Sequence, residues 1–173
     1  FPLDGWRLNL RLRGAVEGTL SDTDLMQTTL GFKAIAPFGQ GRLLGRADLG
    51  WSDVNDFEKL PASLRFFAGG DNTIRGFDYE SLGPKDENGN VIGGKHLAVG
   101  SLEYEHPLKK NWGVAVFVDH GNAFNDFSST DFYTGAGLGV RWHSPLGPIR
   151  LDLARDIDTD NGIQVHLSMG TDL

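Results

Sequence analysis

Apolar and polar residues alternate with a period of two along most of this chain, in blocks of roughly 9–12 residues separated by turn chemistry. That period puts successive side chains on opposite faces of an extended strand. In residues 6–16 the even positions are Trp6, Leu8, Leu10, Leu12, Gly14 and Val16, while the odd ones are Arg7, Asn9, Arg11, Arg13 and Ala15. Further blocks at 25–36, 41–51, 96–106, 112–120, 131–143, 148–155 and 162–171 read the same way, and 61–68 reads as a short fourth strand. The sequence therefore predicts about nine antiparallel strands and no helix. Gly39-Gln40-Gly41, Ser144-Pro145-Leu146-Gly147-Pro148 and Asn161-Gly162 supply turns between them.

A soluble sandwich and a membrane barrel both alternate. The sequence holds no run of about 18 apolar residues, so it predicts no transmembrane helix, and the spanning solution left is a closed sheet. All four tryptophans lie on the apolar face near strand ends, where a soluble core would place them nearer strand centres. Strand ends on a lipid face are the place for an aromatic girdle. With the segment 69–95 as an external loop and strand direction alternating, Trp51, Trp112 and Trp142 are expected at the periplasmic rim and Trp6 at the opposite one. Bacterial barrels usually have even strand counts, so an odd count, with Phe1 opening almost directly onto a strand, predicts a C-terminal piece of a larger barrel.

Composition narrows the function classes. The 173 residues contain no cysteine, which removes disulfide scaffolds and thiolate metal sites, and a net charge of −7 disfavours nucleic acid as a partner. Gly135-x-Gly137-x-Gly139 sits inside a strand and lacks the strand-to-helix context of a nucleotide loop. Asp86-Glu87-Asn88-Gly89-Asn90 has calcium-like oxygen spacing but places Val91 where an EF-hand needs glycine. Ser128 and Ser129 near His120 lack an acidic orienter, and the five histidines form no ligand pair. No catalytic residues, metal or cofactor are expected.

The most distinctive segment is Phe66-Phe67-Ala68-Gly69-Gly70 followed by Ile74-Arg75-Gly76-Phe77. Downstream come Phe117-Val118-Asp119-His120-Gly121 and the glycine-rich strand Gly135 to Trp142. In this order the segments resemble the C-terminal barrel of the BamA/TamA family of outer-membrane assembly factors, from about residue 60 to the end and more loosely to residue 1. Gly100-Ser101-Leu102-Glu103-Tyr104-Glu105, Ala115 to Asp119 and the terminal Leu173 resemble the TamA branch more closely. The resemblance implies the last nine of roughly sixteen strands, preceded by roughly seven more and by periplasmic POTRA domains.

It also implies that the loop carrying Ile74, Arg75, Gly76 and Phe77 folds into the lumen, where Arg75 pairs with an acidic wall residue. Spacing alone favours a solvated loop arginine and a turn-adjacent aspartate; the full set of motifs favours the pair. Strand parity turns Asp119 inward and makes it the leading partner, with Asp152 as the alternative; Gly135, Gly137 and Gly139 are expected to leave lumen space for the loop. The implied function is non-enzymatic: helping insert or secrete autotransporter-type and other outer-membrane proteins in a Gram-negative outer membrane, with membrane lipid, client proteins and a TamB-like inner-membrane partner. A passive pore and a BamA-like general insertase are the alternatives.

Overall fold

The computed structural model describes residues 3–18, 23–145, 147–159 and 162–170. Eight strands form one antiparallel sheet in chain order: β1 Gly5–Ala15, β2 Leu25–Phe38, β3 Gly41–Val54, β4 His96–Lys109, β5 Trp112–Phe124, β6 Tyr133–Ser144, β7 Gly147–Asp156 and β8 Ile163–Met169. Among the described residues β1 and β8 do not pair with each other, so both are edges. Phe1, Leu146, Asn161 and Leu173 lie outside the described residues. Four of the strands exceed 12 residues, longer than the roughly 9–11 tilted residues that cross a hydrocarbon layer.

The expected fourth strand at 61–68 is not a member of the sheet. Ala62–Leu64 form a 3-10 turn, and only Phe66 and Ala68 make isolated bridges, to Gly94 and Leu82. Its backbone donors are consumed locally: Leu64 N–H donates to Pro61 and Arg65 N–H to Ala62. The Arg65 side chain then ties the segment to its own loop, donating to the carbonyls of Phe57, Glu58, Leu60 and Ile92.

Removing that strand reverses the direction inferred for every strand before it. Trp6, Trp112 and Trp142 therefore share the rim of the short turns, while Trp51 lies towards the rim of the long loops. This corrects the expectation that Trp51 accompanies Trp112 and Trp142 with Trp6 opposite. The Trp112 and Trp142 rings stack at 5.8 Å on the turn rim. At the loop rim Trp51, His96, Phe124 and Phe127 cluster, with Trp51 and His96 centroids 4.2 Å apart.

Polarity across the sheet is inverted relative to a soluble domain. Trp6, Leu138 and Val165 are 71%, 64% and 65% exposed, whereas Asp119 and Arg141 are 0% and 2% exposed. In β5 the even residues face out and the odd ones in, up to Asp119. Such an outward apolar face, bounded by aromatic rims, is suited to hydrocarbon. The long connection 55–95 between β3 and β4 packs on the inner face, where Ala68, Ile74, Phe77 and Leu82 meet Val99 of β4 and Ala123 of β5.

Candidate functional site

The loop delivers Arg75 to the centre of the inner wall. Ile74, wholly buried, and Phe77, whose ring meets Tyr133 of β6 at 5.6 Å, anchor it on either side. Gly76 adopts φ +97°, and a Cβ there would lie 2.7 Å from the backbone carbon of Arg155, so the turn requires glycine both conformationally and sterically.

Every N–H of the Arg75 guanidinium has an acceptor. Nε donates to Asp119 Oδ2 at 2.7 Å and Nη2 to Asp119 Oδ1 at 2.9 Å, a two-pronged pairing. Nη1 donates to Glu103 Oε2 at 2.8 Å and to Asp152 Oδ2 at 3.0 Å, and Nη2 reaches Ser101 Oγ at 3.3 Å. The Arg75 backbone N–H adds a bond to Asp119 Oδ2 at 3.0 Å. The Phe117 ring lies 3.4 Å beneath Cζ, in cation–π geometry. Burial alone would lower the arginine's pKa. The hydrogen bonds and charge of Asp119, reinforced by Glu103, overcome that and raise it, so the guanidinium stays charged at any working pH.

The site extends further than one pair. Arg141 of β6 donates to Glu103 Oε1 at 2.6 Å, to Asp152 Oδ1 at 2.5 Å and to Glu105 Oε1 at 3.1 Å. Arg42 of β3 donates to Glu105 Oε2 at 2.7 Å. Three guanidiniums thus meet four carboxylates drawn from β4, β5 and β7. A second tether joins the loop to β8: the Gly76 N–H donates to His166 Nε2 at 3.1 Å, and His166 Nδ1 contacts Asp71 Oδ1.

Asp119 and Asp152, expected as alternatives, both contact Arg75. Of the three glycines expected to leave room for the loop, Gly135 alone borders it. A Cβ there would run into the Arg75 carbonyl and lie 3.4 Å from Ile74. At Gly137 it would meet the Phe117 ring and the Leu153 carbonyl, and at Gly139 the Arg141–Asp152 pair. Those two positions accommodate wall side chains, because the wall itself carries large inward groups.

Ser101, Glu103, Arg141 and His166 were absent from the sequence-derived site. Parity places all four on inward positions, and the alternation of β4 alone would have turned Ser101, Glu103 and Glu105 towards Arg75. What parity lacked was register, which sets Ser101 opposite Asp119 and Asp152 opposite His166. The hydrolase-like and calcium-like groupings have other partners. His120 bonds Thr134, Ser128 bonds Asp126, and Asp86 accepts from the Asn88 and Asn90 backbone N–H groups.

An antiparallel sheet with lipid-compatible outer side chains, a charged inner wall and aromatic rims defines an outer-membrane β-barrel sheet. The Omp85 superfamily domain matches residues 1–173, and the chain belongs to that superfamily, placing it in the outer membrane of a Gram-negative cell. It is 31% identical over 163 residues to the outer membrane protein assembly factor BamA of Nitratidesulfovibrio vulgaris, covering 86% of this chain and 20% of that protein. It is 33% identical over 100 residues to the chloroplastic outer envelope protein 80 of Arabidopsis thaliana, covering 51% of this chain and 12% of that one. The chain spans about a fifth or less of the length of these curated relatives. The crystal structure of Haemophilus ducreyi BamA lacking POTRA domains 1–3 shares its fold, with TM-score 0.77 and 24% identity over 96% of this chain and 38% of that one.

Proposed function

We propose that this chain forms the C-terminal part of the barrel of an outer-membrane protein assembly factor, and that the loop 69–95 is an inward-folded latch closed by Arg75. One observation carries the latch: a single loop arginine has all its donors engaged by side chains of three different strands, β4, β5 and β7. A buried charge so fully matched fixes geometry more than it adds stability, because its desolvation offsets much of its attraction. A rigid inner wall leaves the sheet edge as the adaptable part. The backbone groups of β8 are unpaired on one side among the described residues, and a client strand adds to such an edge by main-chain hydrogen bonding.

The test is client insertion by the full-length protein in lipid vesicles. Asp119→Ala and Arg75→Ala are expected to lower the insertion rate and to expose 69–95 to protease. Unchanged cleavage of that loop in both variants would refute the latch. Altered ion conductance with unaltered insertion would instead favour a passive pore.

Within this reading, autotransporter-type clients and a TamB-like partner follow from the segments Gly100–Glu105 and Ala115–Asp119, which resemble the TamA branch. The names of the bacterial relatives favour a second reading, a BamA-like general insertase. Complementation separates them: rescue of cells depleted of the general insertase supports the second, and rescue confined to autotransporter secretion supports the first.

A further inference from the structure

We propose that His166 is a positioning residue that couples the Arg75–Gly76 backbone to the terminal strand β8, and that it does so only as the neutral imidazole. This rests on the latch reading. The tautomer follows from the partners. The Gly76 N–H donates to Nε2 at 3.1 Å, so Nε2 carries a lone pair and the ring proton sits on Nδ1, facing the Asp71 carboxylate. His166 is buried, whereas its strand neighbours Val165 and Leu167 are exposed. Two consecutive backbone N–H groups of the loop are therefore held by side chains of separate strands: Arg75 by Asp119 on β5 and Gly76 by His166 on β8.

A second proton on the ring places an N–H at Nε2 against the Gly76 N–H. The acceptor is lost and two donors face each other, while the imidazolium is held by Asp71. Acid thus transfers the grip of His166 from the Gly76 backbone to Asp71 alone and loosens the motif from β8 without touching the Arg75–Asp119 fork. The charged groups lining the same cavity as His166 are Asp71 and Arg75 from the loop, Lys33 from β2, Arg46 from β3, Glu103 from β4, and Arg150 and Asp152 from β7. Cations and carboxylates surround it together, so the discriminating feature is the directed bond to Gly76.

The experiment is amide hydrogen exchange of the full-length protein in lipid across pH 5–8, corrected for intrinsic exchange, reading the peptide 72–78. In the wild type, protection of this peptide is expected to fall about tenfold towards the acid end, as one directed hydrogen bond is lost. His166→Gln keeps an acceptor near the Nε2 position and cannot take up the proton, so its profile is expected to stay flat and protected. His166→Ala is expected to be deprotected at every pH. A wild-type profile matching that of His166→Gln, or full protection in His166→Ala, would overturn the proposal. Nitrogen-15 chemical shifts of the His166 ring give an independent check, and a proton on Nε2 in the neutral state would also overturn it. Asp119→Ala distinguishes the two levels. If it and Arg75→Ala both leave the loop closed, the latch reading fails whatever His166 does. If it opens the loop and the His166 variants show no pH contrast, only the coupling fails.

Discussion

The two halves of the sheet carry the same alternating pattern and treat their inward charges differently. Across β4–β8 the inward carboxylates Glu103, Glu105, Asp119 and Asp152 are buried and met by Arg75, Arg141 and, from β3, Arg42. Across β1–β3 one cross-strand row sets Arg7 opposite Lys33 and Lys33 opposite Arg46. The row then continues through Ser101 to Asp119, so the cations and the latch share one register level. Like charges directly opposite each other in a sheet are unfavourable. Alternation alone thus selects which face is polar, and cross-strand register together with the loop decides which of its charges pair.

The contrast is broken most strongly by removing the acceptor at its centre. Asp119→Ala leaves Arg75 with Glu103, Asp152 and Ser101 but without its fork, and is expected to cost about 3–5 kcal/mol of loop closure, read by hydrogen exchange of 69–95. Exchanging the charges of Arg75 and Asp119 is expected not to restore closure, because it sets a carboxylate against Glu103 and Asp152.

Glycine substitution tests the contrast by shape. Gly135→Ala puts a Cβ into the Arg75 carbonyl and is expected to cost about 1–3 kcal/mol. Gly45→Ala on β3, where a Cβ meets nothing within 4 Å, is expected to be neutral or mildly stabilising. Equal thermal shifts at the two sites would show that the loop does not press on Gly135.

A smaller effect is expected in the Arg7–Lys33–Arg46 row. Lys33→Gln removes the middle cation of the row and should leave stability unchanged or raise it by about 0.2–1 kcal/mol, measured by denaturant unfolding in detergent. A loss of stability would mean that attraction to Asp48, the diagonal neighbour on β3, outweighs the repulsion from Arg7 and Arg46.

The smallest effect concerns the loop's own outer turn. The Asn90 side chain and backbone, followed by the Asn88 and Gly89 N–H groups, hold the Asp86 carboxyl below its usual pKa. A depressed carboxyl favours the folded turn above its unfolded pKa of about 3.9, and the contribution is lost as pH falls through the lower folded value. Amide shifts of Asn88 and Asn90 should therefore move only in that acid range while those of the latch stay fixed. Movement near neutral pH would point to another titrating group.

Most strands were legible because each has an exposed apolar face, and the period of two needs no partner to be read. Residues 61–68 misled because apolar runs next to glycines resemble a strand, whereas Arg65 spends its donors on carbonyls of its own loop. That single extra strand also moved Trp6 and Trp51 to the wrong rims, since antiparallel direction alternates. Asp119 was legible from parity together with the family resemblance. His166 was not, because a histidine on a terminal strand gives no sign of a loop glycine 90 positions away.

By itself the sequence determined that this chain makes an antiparallel sheet with apolar side chains outward and charges inward, because side-chain direction is local to the strand. It also marked the loop with the one arginine between Ile74 and Gly76. Only the tertiary structure decided which carboxylates that arginine meets, that Gly135 and not Gly137 or Gly139 gives way to the Arg75 segment, and that β8 joins the loop through His166. Those contacts depend on register and on the path of the long connection, and both are set by packing between segments distant in the chain.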